Sequence, residues 1–170
     1  MPLRIRAAAL HAGPLRQAVH ALKYEGMFAL ASPLAALMVE EWPRWRMPAD
    51  LVVPIPLHPE RERERGYNQA LLLVREFCRR LNLVPETTAL RRVRYTRPQV
   101  ELGVRERLHN VRGAFQADGN KVAQKRILLV DDVCTTGATL ASAADALLSA
   151  GARSVNAYVL ARAVGDQDKI

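Results

Sequence analysis

Residues 127–140 read ILLVDDVCTTGATL, and the order of residue types in that stretch decides the fold. The run from Arg126 to Val130 has the continuous apolar character of a parallel strand buried on both faces. Two carboxylates, Asp131 and Asp132, follow it. Next come hydroxyls and a glycine in Thr135-Thr136-Gly137-Ala138-Thr139, and then a helix over 138–150 striped by Leu140, Ala144, Leu147 and Leu148, which Gly151 stops. In an open parallel sheet, ligands bind beyond the carboxyl ends of the strands, so the acidic pair is aimed at a crevice.

Adjacent like charges are costly unless something uses them. The turn behind the pair offers orphan backbone N–H groups at a helix start, an arrangement that favours an anion. A ribose 5-phosphate suits both halves: its phosphate on the Thr/Gly loop, its 2- and 3-hydroxyls donating to the carboxylates. The plainer alternative is an acidic strand end ahead of an ordinary helix. Receiver domains also end apolar strands in acidic residues, but their acidic pair lies near the N-terminus, whereas this one is late. A Walker loop is disfavoured, because no GxxxxGK[ST] occurs and the loop has no lysine.

Outward from this stretch, strands alternate with helices. After a Gly13-Pro14 break, Leu15, Ala18, Val19 and Leu22 predict a helix ending near Tyr24-Glu25-Gly26. A second helix carries Leu30, Leu34, Leu37 and Met38 and should stop at the Pro43–Pro48 stretch, with Trp42 and Trp45 as packing residues. Leu51-Val52-Val53 is a brief strand closed by Pro54-Ile55-Pro56. A charged loop, His58 to Gly66, leads to a helix over 67–82. The strongly basic stretch from Leu90 to Arg112 shows no apolar periodicity and reads as an exposed, mobile excursion. Gly113 to Gln116 is a short strand before a polar turn at Asp118-Gly119-Asn120, and Ser154 to Ala161 is a last strand. The class is α/β with a mainly parallel central sheet flanked by helices. The organisation expected is one domain over 1–170: a helical N-terminal part at 1–48, an α/β core at 49–163 and a polar tail at 164–170.

The chain has 170 residues with 25 Lys plus Arg against 17 Asp plus Glu, a formal net charge of +8. That balance favours polyanionic partners, though a merely solvated basic surface has the same composition. The two cysteines, Cys78 and Cys134, form no CxxC and have no His cluster near them, which argues against a metal or disulfide framework. Cys78 falls on an apolar helix stripe as a small hydrophobe. No apolar run approaches the ~18 residues of a membrane span and no signal-peptide pattern opens the chain, so a cytoplasmic location is expected.

VDDVCTTGAT resembles the signature of type I phosphoribosyltransferases for phosphoribosyl pyrophosphate (PRPP). Leu22-Lys23-Tyr24-Glu25-Gly26, then VVPIPLHPERERERGYNQA at 52–70, then Thr96, Gln99, Leu102, Arg107 and Asn110 ahead of Val111–Phe115, together resemble the ComF competence-protein family. The similarity runs from the first helix to the last strand. It implies a type I phosphoribosyltransferase-like fold with a mobile basic loop over the site, and a role in natural transformation, the handling of incoming DNA at the cytoplasmic side.

By that resemblance Asp131 and Asp132 are the catalytic acidic pair that meets the ribose hydroxyls. Thr135, Thr136, Gly137, Ala138 and Thr139 hold the 5-phosphate. Pro56, His58, Arg61, Arg65 and Lys23 form the pyrophosphate side, and guanidinium forks do suit phosphate oxygens. The Glu/Arg alternation also reads as a self-paired solvated face, and Lys23 as a solvated charge. Arg94, Thr96, Gln99, Arg107 and Asn110 belong to the flexible loop. A closing lid would exclude water from the reacting centre; alternatively Arg91, Arg92, Arg94 and Arg97 with Tyr95 would track single-stranded DNA. Magnesium is expected with PRPP rather than in a protein cage, with Asp131 and Asp132 as its nearest protein groups.

The resemblance has two departures. Family members commonly carry a four-cysteine zinc module ahead of this domain, and here no cysteine precedes Cys78, as in a short or trimmed form. Purine enzymes of the 6-oxopurine type carry an Asp in the loop where Thr135 stands, and a hydroxyl is a poor general base. That argues against a 6-oxopurine acceptor, and His11, His20, His58 and His109 offer no obvious replacement. The readings are therefore a pentosyl transferase of open acceptor, a non-catalytic module binding single-stranded DNA and a competence helicase, or a PRPP-sensing regulator. The sequence leaves the oligomeric state open, a dimer included.

Overall fold

The computed structural model describes residues 2–95 and 113–163. Four parallel strands form the central sheet in the order β1-β6-β5-β2. They are β1 (Arg4–Leu10), β2 (Leu51–Pro54), β5 (Arg126–Cys134) and β6 (Ser154–Arg162). The apolar run at 127–130 lies at the centre because both its neighbours are strands and every side chain from Ile127 to Val130 is fully buried. Alternation along the strand sends Leu128 and Val130 to one face and Ile127 and Leu129 to the other.

The first face is covered by α1 (Gly13–Tyr24), α2 (Ala31–Trp45) and α4 (Gln69–Leu81). Leu22, Met38, Leu73 and Phe77 are fully buried there. Trp42, Phe77 and Tyr158 stack with centroids 5.2–5.8 Å apart, and the Tyr158 hydroxyl donates to the Met38 carbonyl at 2.8 Å. On the second face, α6 (Ala138–Ser149) buries Leu140, Ala144 and Leu147 beside an antiparallel hairpin of β3 (Leu90–Arg92) and β4 (Phe115–Ala117). No helix among the described residues is long and apolar enough to cross a membrane.

Several elements differ from the sequence-based expectation. Residues Arg4–Leu10 form the edge strand β1 within the part read as helical. Its three alanines have little strand propensity of their own, so pairing with β6 imposes the conformation. Helix α2 carries Pro43 inside it rather than ending there. The proline removes one donor near the last turn, and the Arg46 N–H still closes on the Trp42 carbonyl at 2.8 Å.

The charged segment read as a loop contains the helix α3 (Pro59–Arg65). Pro59 stands at its first turn, His58 Nδ1 accepts from the Glu60 N–H, Glu60 and Glu62 face the positive end and Arg63 and Arg65 the negative one. Gly66 follows in the left-handed region at φ 88°, the usual glycine stop. The Asp118 turn is the N-cap of a one-turn helix, α5 (Gly119–Val122), which buries Val122. Leu90, read as exposed, is 3% exposed and paired to Ala117. The rest of the basic excursion, with Thr96, Arg97, Gln99, Arg107 and Asn110, and the polar tail at 164–170 lie outside the described residues.

Asn68 links the fold to the site. Its side-chain oxygen caps α4 by accepting from Ala70 at 2.9 Å, and its amide donates to the Ile55 carbonyl at 3.1 Å. A cap of this type contributes about 1 kcal/mol. It also fixes the loop that leaves β2, where Pro56 and His58 stand.

Candidate ribose-phosphate site

Strand β5 does not stop at the acidic pair; it carries both carboxylates within its last turns of pairing and ends at Cys134. Asp132 is 2% exposed, whereas Asp131 is half-buried. Each carboxylate commits one oxygen to the backbone beside it. Asp131 Oδ1 accepts from the Asp132 N–H at 2.9 Å, and Asp132 Oδ1 from the Val133 N–H at 2.6 Å. The other Asp132 oxygen meets Lys23 Nζ at 3.1 Å. Loss of water and then the Asp132 charge push the Asp131 carboxyl up to about 7, against the pull of Lys23 and Arg92.

Lys23 stands in the last turn of α1. Burial works against its charge, yet the Asp132 and Asp131 carboxylates outweigh that and hold the ammonium above its ordinary value. The sequence-based reading placed Lys23 toward the pyrophosphate; the structure brings it to the acidic pair.

Behind the pair, Thr135 and Thr136 are exposed and Gly137 caps α6 at φ 81°, ψ 2° with no side chain serving as the cap. The first turn of α6 contains no acidic residue. Its N–H end therefore presents a positive field within a few residues of Asp131 and Asp132, and Thr136 Oγ1 accepts weakly from the Ala138 N–H at 3.4 Å. A cradle for an anion beside hydroxyl-accepting carboxylates is the chemistry this strand-loop-helix can offer.

The cationic side splits in two. Arg61 lies over the Tyr95 ring at 5.7 Å, and His58 packs edge-on to the same ring at 5.3 Å. Pro56, Leu57, His58, Glu62, Arg91 and Arg92 line a cavity of about 490 Å³ between the β2 exit and the β3–β4 hairpin. Arg65 turns instead to α1, over the Tyr24 ring at 5.4 Å, and donates to the Gln69 side chain.

Two residues matter more than the sequence suggested. Arg92, read as part of an exposed basic track, folds inward over Phe115 at 5.4 Å; burial and then Arg61 depress its pKa, while Asp131 attracts it. Its place as the last residue of β3 was hidden by the lack of periodicity around it. His11 follows β1, its backbone N–H on the Arg162 carbonyl at 2.9 Å. Burial and the charges of Lys23 and Arg16 push its imidazole below the ordinary value. Nothing local in the sequence marks it, since its position depends on the β1–β6 pairing.

Comparison with known proteins gives this geometry a family. A family model for the phosphoribosyl transferase domain matches residues 68–170. The DNA utilization protein YhgH of Escherichia coli K12 is 34% identical over 164 residues, 94% of this chain and 72% of that protein. Competence protein F of Haemophilus influenzae is 31% identical over 158 residues, 88% of this chain and 69% of that protein. Among solved structures, glutamine PRPP amidotransferase from B. subtilis, complexed with ADP and GMP, shares the fold with a TM-score of 0.53 at 21% identity. That match covers 76% of this chain and 26% of the amidotransferase chain. A third of its residues shared with those relatives along nearly its whole length, on this sheet and around this acidic strand end, the chain belongs to the ComF family of competence and DNA-utilization proteins, built on a phosphoribosyltransferase domain.

Proposed function

We propose that this chain binds PRPP as its magnesium complex and serves the handling of incoming DNA on the cytoplasmic side. The observation that carries the reading is the continuity of β5 into the loop: two carboxylates at the strand end, then exposed threonines and a left-handed glycine opening α6. In this reading Asp131 and Asp132 accept from the ribose hydroxyls. The backbone N–H groups around Thr135 to Thr139 hold the 5-phosphate, helped by the helix field. His58, Arg61 and Arg92 face the diphosphate, where fixed guanidinium groups stabilise the charge that develops on departure.

Magnesium is placed on the diphosphate, since Mg²⁺ keeps most of its waters and binds through one or two carboxylates plus substrate phosphates. When bound it would neutralise the leaving group. Asp131 and Asp132 are the protein groups that would face it. Thr135 supplies no base to the loop, so the transfer reading requires an acceptor that needs no proton removed there.

Calorimetric titration of PRPP into the whole chain tests the reading. Saturable one-to-one binding in Mg²⁺, weakened at least tenfold by EDTA, is expected; absence of binding in both conditions would overturn it. A second reading, direct contact with single-stranded DNA, is favoured by Arg91 and Tyr95, both exposed on the hairpin beside the site. Its signature would be affinity that falls steeply with salt.

A further inference from the structure

The acidic pair is occupied by a side chain of the protein itself. Lys23 Nζ lies 3.1 Å from Asp132 Oδ2, with the two side chains 22% and 2% exposed. This is not a surface contact between mobile groups. The backbone that carries Lys23 is anchored on both sides of the turn: Val19 and Leu22 are buried in the core, and the Tyr67 hydroxyl donates to the Leu22 carbonyl. Tyr24, the next residue, lies under Arg65.

Asp132 has both of its oxygens engaged within the protein. One oxygen of each carboxylate accepts a backbone N–H, and the other oxygen of Asp132, itself buried, holds the ammonium. The surroundings are cationic as well. Arg92 acts on Asp131 from the hairpin side, and the charges of Lys23 and Arg16 help hold the nearby His11 imidazole below its ordinary value. A divalent ion approaching the pair would meet the Lys23 ammonium on Asp132 and the positive charge of Arg92 near Asp131.

We propose that Lys23 is the resident cation of the acidic pair and bars free divalent metal from it, so that metal enters only with a ligand whose own negative charge draws the ammonium away. Lys23 thereby acts as a specificity-determining residue: it makes the site select a metal-loaded polyanion over the metal alone. The diphosphate side is the direction in which the ammonium would find that charge, and its flexible four-carbon stem allows the swing without movement of α1. This inference rests on the assignment of Asp131 and Asp132 to the ligand's ribose side, but its consequence is read without any ligand.

Mn²⁺ alone is the probe, titrated into the whole chain and followed by the electron paramagnetic resonance of the free ion. Wild type is expected to bind Mn²⁺ only in the millimolar range. Lys23→Met, or Lys23→Gln where the methionine variant folds poorly, should bind at least tenfold more tightly. That gain should disappear in Lys23→Met/Asp132→Asn, and Lys23→Arg, which keeps the charge, should behave as wild type. Micromolar Mn²⁺ binding by the wild type, or no gain in either neutral variant, would overturn the proposal. Failure of PRPP to bind would overturn the functional reading and leave these metal titrations fully interpretable.

Discussion

Asp131→Asn is expected to make the protein more stable at pH 8 while weakening its grip on PRPP. The Asp131 carboxyl is lifted from 3.8 to about 7 by loss of water and by Asp132. Between those values the folded chain holds a proton that the unfolded chain releases, so stability falls as pH rises through that window. The cost is absent below about pH 4 and fully present above about pH 7. At about 1.36 kcal/mol per unit, the shift corresponds to an upper limit of about 4 kcal/mol. The half-buried side chain still meets solvent, so the amide, which has no charge to desolvate, should recover about 2 kcal/mol. For a domain of this size that is a rise of about 4–8 °C in Tm at pH 8, shrinking toward zero near pH 4. The same substitution removes a charged acceptor for a ribose hydroxyl, worth about 1.5–3 kcal/mol, or roughly a 10- to 100-fold loss of affinity. Scanning calorimetry at pH 5 and pH 8, with a PRPP titration of each chain, reads both effects. A lower Tm at pH 8 would show that the carboxylate supports the fold instead of straining it.

Gly137→Val should damage fold and site together. Gly137 sits at φ 81°, where a side chain costs about 1–2 kcal/mol and a β-branched one more. An added Cβ would also lie 3.1 Å from Ile5 Cδ1, tight enough that the Ile5 side chain must give by a few tenths of an ångström. A loss of about 2–3 kcal/mol is expected, measured as a lower urea midpoint. Because the same backbone turn aims the N–H groups of the loop, PRPP affinity should fall at least 100-fold, more than the loss of stability alone explains. Unchanged affinity in a chain that remains folded would remove the phosphate from this loop.

The elements legible in the sequence were those whose signal is local and strong. The 126–130 run, the helix after Gly137 and the amphipathic stripes at 15–22 and 71–81 each carry a local signal, and the structure places the three helices within a residue or two, while the strand starts where expected and runs four residues further to Cys134. Helix α3 was missed for the opposite reason: it has capping signals at both ends but no apolar stripe, since none of its residues is buried. Strand β1 was missed because Ala7, Ala8 and Ala9 say nothing about strand without β6 beside them.

The site divides in the same way. Asp131, Asp132 and the Thr/Gly loop are contiguous in sequence, so their proximity was readable. Lys23 on Asp132 joins residues 109 positions apart and Arg92 near Asp131 joins residues 39 apart, while His11 and Lys23 sit on different elements, and only the tertiary fold brings these groups together.

The central claim is that the end of β5 and the loop behind it hold a ribose 5-phosphate, and the crystal structure of the chain with Mg²⁺ and PRPP tests it most directly. The ribose 2- and 3-hydroxyls are expected within hydrogen-bond distance of Asp131 and Asp132, with the 5-phosphate on the backbone N–H groups of residues 135–139. PRPP bound with its ribose away from both carboxylates, or its 5-phosphate away from that loop, would contradict it.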